Sequence, residues 1–335
     1  MFMYGSAVVG DAGAENPSNT AVAGGGIYST GTLYLGYSDT STITSTAKGI
    51  YSNSATNGGG LYLGSDGTCY FAAGSIASNT STSTGYGGGV YNLGIFYMHG
   101  SAVVGLSSAV SYATASSYSN TAGYGGGVYN AKSFFLGYSS ADTVDSNFSG
   151  GIYYNTASSG GGIYNETDSS VLTMAAGTIA WNFSSGDSED NAGGGGVYLK
   201  AGVFYMSGGI LASNGANGFG GGLNNQSSAF IYGSAVVGDN TKSFEASETS
   251  RSNYAGSGAG VYNNGDLYFG YKNSTTSETL SGGVYYNYAT SGHAGGIYNA
   301  KTFKMDSGKV LYNAATSGKK AGVKTGGAAS TEYSD

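Results

Sequence analysis

Along most of the chain, apolar residues fall two apart in short groups, and each group is bounded by glycine. Three kinds of group recur in a fixed order. The first is a glycine run followed by aliphatic–Tyr–Asn, with its aliphatic residue at Ile27, Leu61, Val90, Val128, Ile163, Val197, Leu223, Val261 and Ile297. The second is apolar–aromatic–apolar, as in the flanking pairs Leu33/Leu35, Phe96/Met98, Phe204/Met206 and Leu267/Phe269. The third reads aliphatic-x-x-Asn or Asp and starts at Val8, Ile50, Ile76, Val103, Ile152, Ile179, Leu211, Val236, Val284 and Val310.

Alternation with period two over four or five residues, closed by glycine, is the pattern of a β-strand. A helix cannot use it, because residues two apart point about 200° apart around a helix. The order repeats with a minimal spacing of about 26 residues, from Val197 to Leu223. That length suits one coil of a solenoid built from parallel strands. The prediction is an all-β fold, a right-handed parallel β-helix of about ten coils with three short strands each, right-handed because parallel crossovers are. Coils stack about 4.8 Å apart, so the rod is about 45 Å long.

The repeated stretch "GYGGGVYN" at residues 85–92 and 123–130 then has a structural meaning. Glycines turn a tight corner through positive φ and let coils stack closely. The aliphatic residue enters the core and the tyrosine after it faces outward. Asn92, Asn130, Asn165, Asn263 and Asn299 fall at one corner of successive coils. A second column reads Asp11, Asn53, Asn79, Asn155, Asn182, Asn214, Asp239, Asn287 and Asn313, broken at Leu106. Asparagine at such corners tolerates αL geometry and passes a hydrogen bond from coil to coil. A slower rhythm adds loops after the third segment (residues 105–123 and 238–256) and before it (37–48, 138–149 and 271–281), three or four coils apart. Regular loops on a rigid scaffold are the usual place for recognition.

Composition narrows the function. The chain has 63 glycines, 31 tyrosines, 13 phenylalanines and a single proline among 335 residues, so ample ring surface accompanies the glycine. A net charge of −7 without a basic stripe argues against a nucleic-acid partner. One cysteine, Cys69, excludes an internal disulfide and aligns with inward Leu33 and Phe96 as a buried apolar residue. No apolar run approaches a membrane span of roughly 18 residues. The chain opens inside its own repeat, since "MFMYGSAVVGD" returns as "AFIYGSAVVGD" at residues 229–239. The expected organisation is therefore one solenoid over residues 1–324, cut from a longer exported protein, with 325–335 a polar tail or degenerate repeat. Uncapped ends imply flanking sequence in the parent protein or end-to-end self-association.

The candidate binding feature is the aromatic column at the centre of the second segment: Tyr34, Tyr70, Tyr97, Phe135, Tyr205 and Tyr268, with Phe2 and Phe230 in line and a gap at Thr173. A parallel column follows the glycine runs and has its gap at Asn224. Stacked rings stabilise a coil by about 0.5–1.5 kcal/mol per pair. An exposed strip of this length would also receive glycans or a partner protein. The tightest acidic cluster, Asp187, Glu189 and Asp190, is a weak metal candidate and reads first as a solvated loop. Carboxylates otherwise occur singly, and His99 and His293 lie several coils apart, so no catalytic constellation and no cofactor are expected. The alternative is a carbohydrate-binding or carbohydrate-processing β-helix of the lyase or hydrolase kind. Trp181 reads as packing.

In the glycine–aliphatic start and the asparagine-terminated segment, the chain resembles the polymorphic outer membrane protein repeats. It resembles, too, the related adhesin-like right-handed β-helix surface proteins of bacteria, those of spirochaetes included. The likeness covers essentially the whole chain. That family's repeat often places phenylalanine ahead of its asparagine, where this chain has Val, Ile or Leu. The resemblance implies an exported passenger domain on the cell surface or secreted, with adhesion to glycans or to host and extracellular matrix proteins as its role. It carries over no catalytic or binding residues.

Overall fold

A computed structural model describes residues 1–11, 17–44, 49–106, 119–187, 193–239, 253–316 and 321–325. Within them the chain winds ten times through four parallel sheets of ten strands each. The fourth coil shows the plan: Ile95–Met98 in sheet A, Val103–Gly105 in sheet B, Thr121–Tyr124 in sheet C and Val128–Asn130 in sheet D. Each strand pairs in register with its equivalents one coil below and above, as Tyr97 does with Tyr70 and Phe135. The parallel β-helix expected from the alternation is therefore present, and its last strand, Val323–Thr325, pairs with Ile297–Asn299.

Three strands per coil become four. The added set, sheet C, carries alanine or serine inward at Ala55, Ser81, Ala122, Ala157, Ser184 and Ala216, all buried. Side chains this small give no hydrophobic alternation to read, and they bring sheet C close to the core of the other three. That core is continuous from coil to coil. Phe71, Phe96, Phe134 and Phe204 are fully buried, with Phe96 and Phe134 stacked at 5.0 Å. Cys69 sits among them, as the alignment placed it.

Register corrects the third segment at three coils. Val9 rather than Val8 pairs with Ile50. Val104 rather than Val103 pairs with Ile76 and Ile152. Val237 rather than Val236 pairs with Leu211 and Val284. Two adjacent valines leave a choice of which points inward. It is settled by the glycine that follows, which has φ of +90° at Gly10, +99° at Gly105 and +102° at Gly238. Elsewhere the corner is turned by the residue before the asparagine, with φ of +53° at Ser52, +55° at Tyr154 and +56° at Trp181. The αL conformation thus falls on that residue and not on the asparagine.

The second asparagine column is unbroken. Its members are Asn19, Asn53, Asn79, Asn120, Asn155, Asn182, Asn214, Asn253, Asn287 and Asn313. Asn19, Asn120 and Asn253 stand where Asp11, Leu106 and Asp239 were expected. Each Nδ2 but the last donates to the Oδ1 of the next coil, at 2.6 Å from Asn19 to Asn53, 2.8 Å from Asn120 to Asn155 and 2.9 Å from Asn287 to Asn313. The other Nδ2 proton goes to a carbonyl one coil back, such as Val104 for Asn155 at 3.1 Å. Satisfied in this way, a buried polar column stabilises the fold instead of straining it. The other ladder forms two runs, Asn92–Asn130–Asn165 and Asn225–Asn263–Asn299, separated by Leu199.

The glycine triplet serves this packing. In residues 125–127 the first glycine has φ of +64°. A Cβ on the third, Gly127, would lie 2.6 Å from the Gly162 carbonyl oxygen and 3.0 Å from Asn155 Nδ2. Its missing side chain is the space the ladder occupies.

Candidate functional site: aromatic columns and hairpins

Sheet A carries the six predicted aromatic residues on its outer face, in register. Phe2, Tyr34, Tyr70, Tyr97 and Phe135 form one stack, with centroids 4.7, 5.1, 5.1 and 5.0 Å apart. Tyr205, Phe230 and Tyr268 form a second, at 5.3 and 4.8 Å. Thr173 of coil 6 separates the two, and Lys304 closes the second with its ammonium 5.4 Å from the Tyr268 ring. Stacking hides much of this surface. Tyr97, Phe230 and Tyr268 are only 6–7% exposed, whereas Tyr34, Tyr70, Phe135 and Tyr205 are half-buried.

Sheet D carries the parallel column, from Tyr28 to Tyr198 and again from Tyr262 to Tyr298, with Lys324 over the last ring at 5.7 Å. Its middle is covered. Tyr86 and Tyr124, at the ends of sheet C strands, pack on Tyr129 and Tyr164 and leave Tyr129, Tyr164 and Tyr198 buried. Burial, reinforced by neighbouring Tyr62 and Glu166, pushes the Tyr91 hydroxyl up to about 12. The gap at Asn224 is closed, for Phe219 packs at a tilt on Tyr262 at 4.5 Å and Asn224 is itself buried. Period two places both columns on outer faces but does not reveal the lateral rings that cover one of them.

Three loops before sheet B are copies of one hairpin. Antiparallel pairing joins Tyr37 to Ile43, Tyr138 to Val144 and Tyr271 to Ser277, at coils 2, 5 and 9. In each copy the leading tyrosine meets the sheet A column edge-on: Tyr37 on Tyr34 at 5.5 Å, Tyr138 on Phe135 at 5.7 Å and Tyr271 on Tyr268 at 6.0 Å. The first two hydroxyls then reach over one coil. Tyr37 meets His99 Nε2 at 2.5 Å, and the Tyr138 hydroxyl faces Ser207. His99 Nδ1 faces Asp145 Oδ2 of the next hairpin at 3.9 Å, and that oxygen accepts the Gly100 N–H at 2.7 Å. Burial holds the His99 imidazole below its usual value, with the Asp145 charge opposing. No motif marks this node, because its three members are brought together only by the hairpins. An open cleft of about 560 Å³ lies beside the coil 5 hairpin, lined by Val144, Phe148, Ser149, Ala176, Thr178 and Ile210 among others.

Of the acidic candidates, Asp187 is exposed, and Glu189 and Asp190 lie outside the described residues. Among the described residues no three His, Cys, Asp or Glu side chains are grouped to hold a metal. Burial raises the Cys69 thiol, which keeps it protonated in the core. Among the described residues no helix is long and apolar enough to cross a membrane. Comparison of the chain with family models, curated proteins and solved structures returns no match.

Proposed function

We propose that the chain is a non-catalytic structural or adhesive repeat segment of a cell-surface or secreted protein, a stiff β-helical rod that presents hairpins and aromatic rings for binding. The observation that carries this reading is the recurrence of one hairpin at coils 2, 5 and 9, each braced by its tyrosine against a stacked column. Such spacing along an unbroken asparagine ladder fixes the height of each loop, which a displayed surface requires. Several carboxylates of these loops are engaged in shaping them. Asp39 caps its own turn through Ser41 and Thr42, and Glu278 pairs with Lys272 at 3.2 Å. Glycans and extracellular matrix proteins are the partners proposed.

The test is an array of glycans and matrix proteins probed with the intact chain and with a variant whose three hairpin tips are replaced by glycine and serine. Saturable binding that the tip variant loses, at an unchanged melting temperature, supports adhesion through the loops. Silence on every array leaves the rod as a stalk. Depolymerisation of any polysaccharide on the array overturns the non-catalytic reading.

A further inference from the structure

We propose that the missing ring at Thr173 is a binding slot for one neutral pyranose ring, held between the faces of Phe135 and Tyr205. This deepens the adhesive reading above and rests on it. Phe135 pairs with Thr173, and Thr173 with Tyr205, so the two rings are consecutive members of one column with a single rung between them. Neighbouring rings elsewhere in that column stand 4.7–5.3 Å apart. Two rungs of a parallel sheet span about 9.6 Å, which leaves the thickness of one further ring.

The same arrangement occurs elsewhere in the chain with its ring in place. Tyr37 reaches from coil 2 over coil 3 to His99, and there Tyr70 fills the intervening rung at 5.1 Å from both neighbours. Tyr138 reaches from coil 5 over coil 6 to Ser207, and there the rung holds a threonine. Exposure differs at the ring beyond the rung: Tyr97, next to Tyr70, is 6% exposed, whereas Tyr205, next to Thr173, is half-buried. The other gap in the aromatic columns, at Asn224, is closed by Phe219 and buried.

The chemistry of the slot selects its occupant. Two ring faces offer CH–π contact to the apolar face of a sugar. The Thr173 hydroxyl, with the Tyr138 hydroxyl near one end, suits the polar edge of a pyranose, while Ser207 Oγ donates to the Met174 carbonyl. None of the residues forming the slot is charged, so a uronate or sialate would lose hydration without gaining a partner. A purely aromatic occupant would bury the Thr173 hydroxyl without using it.

The test titrates the full chain with methyl β-glucoside, methyl β-galactoside, glucuronate and N-acetyltryptophanamide, read by saturation-transfer NMR and calorimetry. Thr173→Tyr closes the slot with the ring that Tyr70 supplies at coil 3, and Tyr205→Ala removes one wall. Saturable binding of a neutral hexoside, weakened at least about tenfold by each variant, is the expected result, with Thr173→Tyr melting no lower than wild type. Absence of binding by both neutral hexosides, unchanged affinity in Thr173→Tyr, or preference for the tryptophan amide overturns the proposal. If the hexosides fail while array binding persists in Thr173→Tyr, the slot is wrong and the adhesive reading stands. Failure of both removes both.

Discussion

Asn155 shows how much one side chain carries in this fold. Its amide accepts from Asn120 at 2.8 Å and donates to Asn182 at 2.9 Å and to the Val104 carbonyl at 3.1 Å, all in the interior. Asn155→Ala leaves these partners short of a donor or acceptor where water does not reach. The expected loss is about 2–4 kcal/mol in chemical denaturation, against near neutrality for an exposed asparagine such as Asn147. Ala294 makes the opposite case. It occupies the first position of its corner triplet with φ of +61°, where every other coil from Gly24 to Gly258 has glycine. Ala294→Gly relieves a left-handed alanine, offset in part by chain entropy, for a net gain of up to about 1 kcal/mol in the same assay. Residues of this kind differ in how far the sequence reveals them. The corner glycines announce themselves by repetition. Asn120 and Asn253 do not, because long insertions separate them from the segment they complete, and Val8 and Val9 satisfy the pattern equally because they are adjacent valines.

Among the elements, the hairpins depend on a node that titrates. Neutral His99 shares a hydrogen bond with Tyr37 and faces Asp145, and these are the titratable side chains in contact with its ring. Because burial lowers the His99 value in the folded state, proton uptake favours the unfolded chain. The stabilising contribution is fully present above the ordinary histidine value of 6.5 and is lost as pH falls below it. Melting temperature should therefore drop between about pH 7.5 and pH 5.5, and His99→Gln should flatten that slope while leaving the rest of the acid limb. A parallel profile in the two proteins refutes the assignment. Sheets A, B and D were legible because their inward residues are large. Sheet C was not, since Ala55, Ala122 and Ala157 look no different from loop residues until the coils are stacked. The aromatic columns were legible as alignments, yet their burial was not, because Tyr86 and Tyr124 approach from the side and follow no period.

For the whole molecule, stability is a sum of coil-to-coil interfaces, and a coil can be removed if register is kept. Deleting residues 171–202 places Val203 where Val171 paired with Ser133, and Phe135 directly beneath Tyr205. The shortened chain should fold cooperatively, melt within a few degrees of the parent and lose any binding that depends on the gap. Circular dichroism and the hexoside titration check the three statements. A chain that aggregates instead would mean that coil 6 is not an interchangeable unit.

The asparagine ladder has a last property. Every amide from Asn19 to Asn287 donates toward the coil that follows it, so the bond dipoles point one way along the rod. One amide cannot turn over alone, for it would set carbonyl against carbonyl on one side and amine against amine on the other. The sense of the column is a collective variable, held by all rungs together. The rod is therefore a vectorial object, its two directions chemically distinct in the interior. A duplicated coil can enter it anywhere, provided its asparagine keeps the same sense.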